Sequence, residues 1–140
     1  FLGFGVSAAT LLKKQFKINT FSIEGYMDRV GKGRIPTSLT LNFSLRQRMV
    51  YYLFWSAYAG IINPEDFQNF FGASLNQKYG LEILLCRVLG FIKKIKGEYH
   101  LTERGAYWFH YIEQAYTTAY IDKMWNVSGK VAFPEKIILE

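Results

Sequence analysis

One cysteine and two histidines are the side chains best suited to nucleophilic or metal chemistry, and their spacing supports neither. Cys86 stands alone, so the chain can form no internal disulfide and no all-cysteine metal site. It falls on the apolar side of a predicted helix, where a thiol packs as a small hydrophobe. His100 and His110 share no metal-ligand spacing. No P-loop, no His-Glu-x-x-His and no Ser/His/Asp order with a supporting motif occurs. Gly3-x-Gly5 lacks the third glycine and the following acidic residue of a dinucleotide fingerprint. Glycines at these two positions instead admit a close neighbour, either another backbone or a ligand.

Charge supplies the next candidates. Residues 1–50 hold eight Lys/Arg and two Asp/Glu, while residues 51–140 hold nine of each. The net charge of +6 therefore resides in the first third, on Lys13, Lys14, Lys17, Arg29, Lys32, Arg34, Arg46 and Arg48. Such a patch attracts an anionic partner, a nucleic-acid backbone or a small polycarboxylate, unless it is merely a solvated face.

The elements that must carry these residues follow from pattern. With 140 residues, half of them hydrophobic and 18% aromatic, the chain has ample core for one domain. No apolar run reaches the roughly 18 residues of a membrane span, so no membrane partner is expected. The lone cysteine and the absence of a basic leader read as a reduced, cytoplasmic setting. Residues 1–10 read as a short apolar strand with no partner strand nearby. An opening in an apolar Gly-rich stretch without Met reads as a cut from something longer.

Residues 11–21 look irregular. Ser22 caps a short helix with Ile23, Tyr26, Met27 and Val30 on one face, ended by Gly31-Lys32-Gly33. Arg34 to Phe43 is a connection, and the domain boundary is placed there, giving residues 1–40 and 41–140. Ser44-x-x-Gln47 and Ser74-x-x-Gln77 are capping boxes. They open a helix toward Gly60 and another toward Leu89-Gly90, with the apolar line Leu81, Leu84, Leu85 and Val88. Between them, Asn63-Pro64 starts a short helix. Ile95-Lys96-Gly97 turns a hairpin over about 91–101. Thr102 caps a long helix to about Trp125, and Val131 to Leu139 is a short apolar tail. The predicted core includes Leu53, Phe67, Phe71, Leu85, Val88, Phe109 and Ile112.

The predicted fold is therefore mainly α with a small β-hairpin, a winged-helix-like helical domain preceded by a short strand whose sheet is missing. Helix, short helix, helix, hairpin is the order of a winged helix, so a DNA-binding module is the first function to weigh. Its third helix would offer Asn76, Gln77, Lys78 and Arg87 to a major groove, and its wing Lys93, Lys94 and Lys96 to phosphates. Residues 44–101 carry seven basic and four acidic residues, a modest excess for a nucleic-acid reader.

Three segments in order resemble a known family. FLGFGVSAAT (Phe1–Thr10) resembles the glycine-rich strand near the end of the catalytic barrel in oxygen-independent coproporphyrinogen III oxidases, which are radical S-adenosylmethionine enzymes. Phe16–Pro36, with Asn19, Tyr26, Gly33 and Pro36, resembles the segment after it. Tyr99–Asp122 is similar to the family's C-terminal Leu-Thr-x-x-Gly signature, here Leu101, Thr102 and Gly105. Phe70-Phe71-Gly72 between them also fits. The resemblance implies that the opening short strand is a remnant barrel strand. It also implies a C-terminal, substrate-side region of a longer cytoplasmic oxidoreductase of haem metabolism, with its own N-terminal radical barrel as partner. S-adenosylmethionine and a [4Fe–4S] cluster are implied for that longer protein. The cluster's cysteine motif is absent from this chain, so the region is expected to be silent by itself. Gly3, Gly5, Val6, Ser7, Ala8 and Ala9 would lie nearest the cofactor. Family members handle tetrapyrroles bearing carboxylates, and Lys13, Lys17 or Arg34 could pair with one. The other reading that stays open is a winged-helix module binding nucleic acid or protein.

Overall fold

The computed structural model describes residues 1–135; the side chain of Tyr120 lies outside the description. The fold is mainly α with a β-hairpin, and its strands form two three-stranded antiparallel sheets. Phe1–Arg46 together with residues 116–135 form one compact unit, and Gln47–Ala115 form a second.

In the first unit, β1 (Ala9–Leu11), β2 (Gln15–Asn19) and β3 (Thr37–Asn42) pair in that order, with helix α1 (Ile23–Gly31) between β2 and β3. The register sets Ala9 opposite Ile18 and Leu11 opposite Phe16 on one side of β2, and Phe16 opposite Leu41 on the other. Phe1 runs back along β1, its carbonyl accepting the Leu11 N–H at 3.0 Å. The expectation that residues 1–10 lack a strand partner is thus corrected. The stretches read as irregular (11–21) and as a connection (34–43) supply the missing strands. Ser22 caps α1 as expected, its hydroxyl accepting from Gly25 N at 3.0 Å.

In the second unit, α2 (Leu45–Tyr58, begun in the first) leads to β4 (Ile61–Ile62), α3 (Pro64–Phe71), α4 (Leu75–Val88), the hairpin β5 (Ile92–Ile95) and β6 (Glu98–Leu101), and α5 (Glu103–Tyr116). β4 adds to β6, giving the order β4-β6-β5. The hairpin loop is Lys96-Gly97 with φ of 47° and 94°, the signature of a tight primed turn that matches strand twist. Asn63 caps α3 through Glu65 N and Asp66 N, and Pro64 follows it in the first turn. Ser74 precedes α4 in an extended conformation but makes no side-chain cap, so the second predicted capping box does not form.

The core of this unit is Met49, Ile62, Phe67, Leu75, Ile83, Ile92 and Tyr99, with Leu53, Phe71, Tyr79 and Cys86 packed against it. Three predicted core residues are corrected: Leu85, Val88 and Ile112 are 51%, 75% and 64% exposed. The physical cause in α4 is a break at Tyr79 (φ −135°, ψ 26°). Past it, Ile83 and Cys86 turn inward while Leu81, Leu84, Leu85 and Val88 turn out.

The predicted long helix to Trp125 is interrupted. A π-helical turn, Thr117–Ile121, separates α5 from α6 (Asp122–Lys130), and its extra residue per turn shifts the helical phase. Trp125 then packs against Phe21 (5.9 Å between centroids), and the Arg29 guanidinium lies 4.2 Å from the Phe133 ring centre. The expected tail, Val131 to Leu139, lies partly outside the described residues.

Candidate functional site

The residues singled out at the amino terminus form one built loop. Gly3 to Ala8 lead into β1, and the loop turns at Gly5 (φ 104°) and Ser7 (φ 58°). A positive φ of this size costs a residue with a Cβ but not glycine, so Gly5 is required by conformation. Gly3 is required by contact: a Cβ there would lie 2.1 Å from the Ala9 carbonyl oxygen. Of the two neighbours that the sequence allowed at Gly3, the chain's own backbone is the one present.

Side chains from β2 and α1 hold this loop. The Gly5 N–H donates to the Tyr26 hydroxyl oxygen (3.2 Å), and the Asn19 amide donates to the Gly5 carbonyl (2.9 Å). Gly3 N–H donates to Thr10 Oγ1 (2.9 Å), and Ser7 N–H to the Thr20 carbonyl (3.0 Å). Asn19 N–H reaches the Ala8 carbonyl at 3.0 Å. Asn19 and Thr20 are buried, Thr20 completely, and buried polar groups persist only with partners. Between these tied peptides, the N–H and C=O of Val6 take no partner among the described residues. A Cβ at Gly5 would meet nothing within 4 Å among the described residues, so these leave that side of the loop open.

The sequence marked Asn19 and Tyr26 only as landmarks. Their role as a clamp was hidden because both partners are backbone groups of Gly5, 14 and 21 residues away.

The three basic candidates are not gathered in one place. Lys13 lies in the exposed turn between β1 and β2, beside a shallow basin of about 510 Å³ lined by Leu12, Lys13, Lys14, Gln15, Asn42 and Phe43. Lys17 lies midway along β2, half-buried. Arg34 is exposed in the loop after α1, beyond the opposite end of β2, where the Thr20 N–H meets the Pro36 carbonyl. The length of β2, about 13 Å at strand rise, separates the segments of Lys13 and Arg34.

The residues that would have to hold a metal do not fit one. Among the described residues no group of three His, Cys, Asp or Glu side chains is placed to bind a metal ion. An iron–sulfur cluster takes several thiolates, and Cys86 is the one cysteine. Burial, reinforced by Glu82, pushes its thiol above the usual range, so it stays protonated and a poor nucleophile.

The Leu-Thr-x-x-Gly segment is structural. Thr102 Oγ1 donates to the Gly90 carbonyl (2.7 Å), lies 3.2 Å from that of Phe91 and accepts from Gly105 N (3.0 Å), starting α5. Asn76, Gln77, Lys78 and Arg87, the residues offered to a major groove, are all exposed on α4, and Asn76 accepts from the Tyr99 hydroxyl at 3.3 Å. They share that helix with the exposed Leu81, Leu84, Leu85 and Val88, apolar side chains that offer phosphates and most base-edge atoms no hydrogen bond.

No family model matches the chain, and no curated protein matches it in sequence. Among solved structures, the fold is similar to that of coproporphyrinogen III oxidase (HemN) from Escherichia coli, a radical SAM enzyme, with a TM-score of 0.57 and 13% identity. The likeness covers 78% of this chain and 26% of that one, so the chain spans about a quarter of that enzyme's length. At that identity the likeness is one of fold. No helix among the described residues is long and apolar enough to cross a membrane.

Proposed function

We propose that this chain is the C-terminal, substrate-side region of a cytoplasmic radical S-adenosylmethionine enzyme acting on a carboxylate-bearing tetrapyrrole in haem metabolism. The observation that carries this reading is the fold likeness over 78% of the chain; the ordered sequence resemblance of Phe1–Thr10, Phe16–Pro36 and Tyr99–Asp122 supports it. In this reading residues 1–40 close the catalytic barrel of an upstream domain and residues 41–140 carry the accessory domain, a division by sequence that differs from the compact units, where the first runs to Arg46 and takes in residues 116–135.

In this reading Gly5, Val6, Ser7, Ala8 and Ala9 border the cofactor, and Gly3 supports them by packing on Ala9. Among the described residues, the open side of Gly5 and the Val6 N–H and C=O without partners suit a ligand approaching the loop. S-adenosylmethionine, bound with the cluster of the upstream domain, supplies the radical chemistry. This chain's residues bind, orient and exclude water. Lys13, Lys17 and Arg34 are offered as separate contacts for carboxylates on a substrate, because a charge-assisted pair is the strong form of such a bond. The chain has one cysteine, so isolated it holds no cluster and cleaves no S-adenosylmethionine.

Titration of the longer protein with a tetracarboxylate porphyrin, followed at the Soret band, tests the substrate assignment. Tight binding that weakens in Arg34→Ala and not in Lys94→Ala supports it. Equal affinity in wild type and Arg34→Ala removes the electrostatic part. Sequence-specific DNA binding at physiological salt, lost on changing Gln77 or Lys78, replaces the whole reading with a nucleic-acid module.

A further inference from the structure

We infer that Tyr26 and Asn19 are positioning residues that give the Gly3–Ala9 loop one shape, and that productive use of the cofactor depends on that shape. The inference rests on the reading above that this loop borders the cofactor.

Glycine has the widest backbone freedom of any residue, and Gly5 stands at the turn of the loop with φ 104°. Left free, it would let the Phe4–Ser7 segment sample several paths. Here both of its polar groups are tied to different elements. Its N–H goes to the Tyr26 hydroxyl on α1, and its C=O receives the Asn19 amide from β2. The two anchors are themselves fixed. Asn19 is buried and its own N–H holds Ala8. β3 carries a register irregularity opposite Ile18 and Asn19, the kind of break that re-aims a side chain. Tyr26 N–H bonds the Ser22 carbonyl, and Ser22 N–H is held by Thr20 Oγ1 at 3.2 Å. One continuous chain of hydrogen bonds therefore runs from the buried Thr20 through the cap of α1 to Gly5. Gly5 and Ser7, on either side of Val6, are pinned, so Val6, whose N–H and C=O take no partner among the described residues, is presented in a fixed place. Reacting groups misplaced by about 1 Å can lose on the order of a hundredfold in rate.

The test uses the longer protein and two readouts. The first is hydrogen–deuterium exchange of the peptide spanning residues 1–11, which reports the clamp without any turnover. Tyr26→Phe, which keeps the ring and removes the acceptor, should speed exchange at Gly5 by about three- to tenfold, the loss of one hydrogen bond. The second is the number of tetrapyrrole turnovers per S-adenosylmethionine cleaved, which should fall at least about tenfold, with porphyrin affinity unchanged. Asn19→Asp, which replaces the donor by an acceptor facing the Gly5 carbonyl, should show the same pair of effects. It serves as the test if Tyr26→Phe does not fold. Unchanged exchange in both variants overturns the clamp. Faster exchange with unchanged coupling overturns the positioning role alone. A wild-type protein that cleaves no S-adenosylmethionine overturns the proposed function, and this inference with it.

Discussion

A Cβ at position 105 would lie 1.9 Å from the carbonyl oxygen of Phe91, so Gly105 and Phe91 meet backbone to backbone. Thr102 stands at the same junction, holding the start of α5 to the end of the α4–β5 turn.

Gly105→Ala should therefore cost about 3 kcal/mol, because neither backbone can withdraw without breaking the junction. Gly80→Ala, where a Cβ meets nothing within 4 Å, should instead stabilise by about 0.5–1 kcal/mol through helix propensity. Urea midpoints of the two variants check both signs. Equal stability of Gly105→Ala and wild type would mean that the junction is looser than described.

The inward and outward faces separate in the same assay. Phe67 is fully buried, and Phe67→Ala should cost about 3–5 kcal/mol. Val88→Ala and Ile112→Ala should each cost less than about 0.5 kcal/mol. A large loss at Val88 would mean that the outer face of α4 is covered in solution.

Ser38 carries a buried hydroxyl with no hydrogen-bond partner among the described residues, at the irregular register of β3. An unsatisfied buried polar group costs about 1–3 kcal/mol, so Ser38→Ala should be neutral or stabilising by up to about 1 kcal/mol. A clear drop in the unfolding midpoint would show that the hydroxyl has a partner after all.

Much of this fold was legible where the signal is local. Ser22, Asn63-Pro64, Lys96-Gly97 and Thr102 act within a few residues of themselves, and each does in the structure what its type and spacing predict. The first sheet was not legible. β1 is three residues long, and β3 meets β2 only across α1, so no window of sequence contains the pairing. The facing of α4 was missed because both of its sides are apolar, and the break at Tyr79 resets which one is buried. At the candidate site, Gly3 and Gly5 were visible by type. Their reasons, a contact with Ala9 and a clamp by Asn19 and Tyr26, depend on the folded chain.

Cys86 gives a pH prediction with a definite sign. Burial first, and Glu82 second, raise its pKa in the fold. The stability linked to this thiol is therefore fully present below the unfolded pKa of about 8.5 and is lost as pH rises through the higher folded value. Wild type should lose stability on going above about pH 9 more steeply than Cys86→Ala does. Native Cys86 should also react with iodoacetamide more slowly than it does in urea. Parallel alkaline curves for the two proteins would contradict the shift.

Under the proposed function, this chain completes a radical enzyme that it cannot be by itself. The most direct measurement is 5′-deoxyadenosine formation by the longer protein, purified and reconstituted with iron and sulfide without oxygen, with and without a carboxylate-bearing tetrapyrrole. The proposed function predicts S-adenosylmethionine cleavage by that protein and a change in the tetrapyrrole, with neither from the 140-residue chain under the same treatment. A longer protein that takes up no cluster and forms no 5′-deoxyadenosine would contradict it.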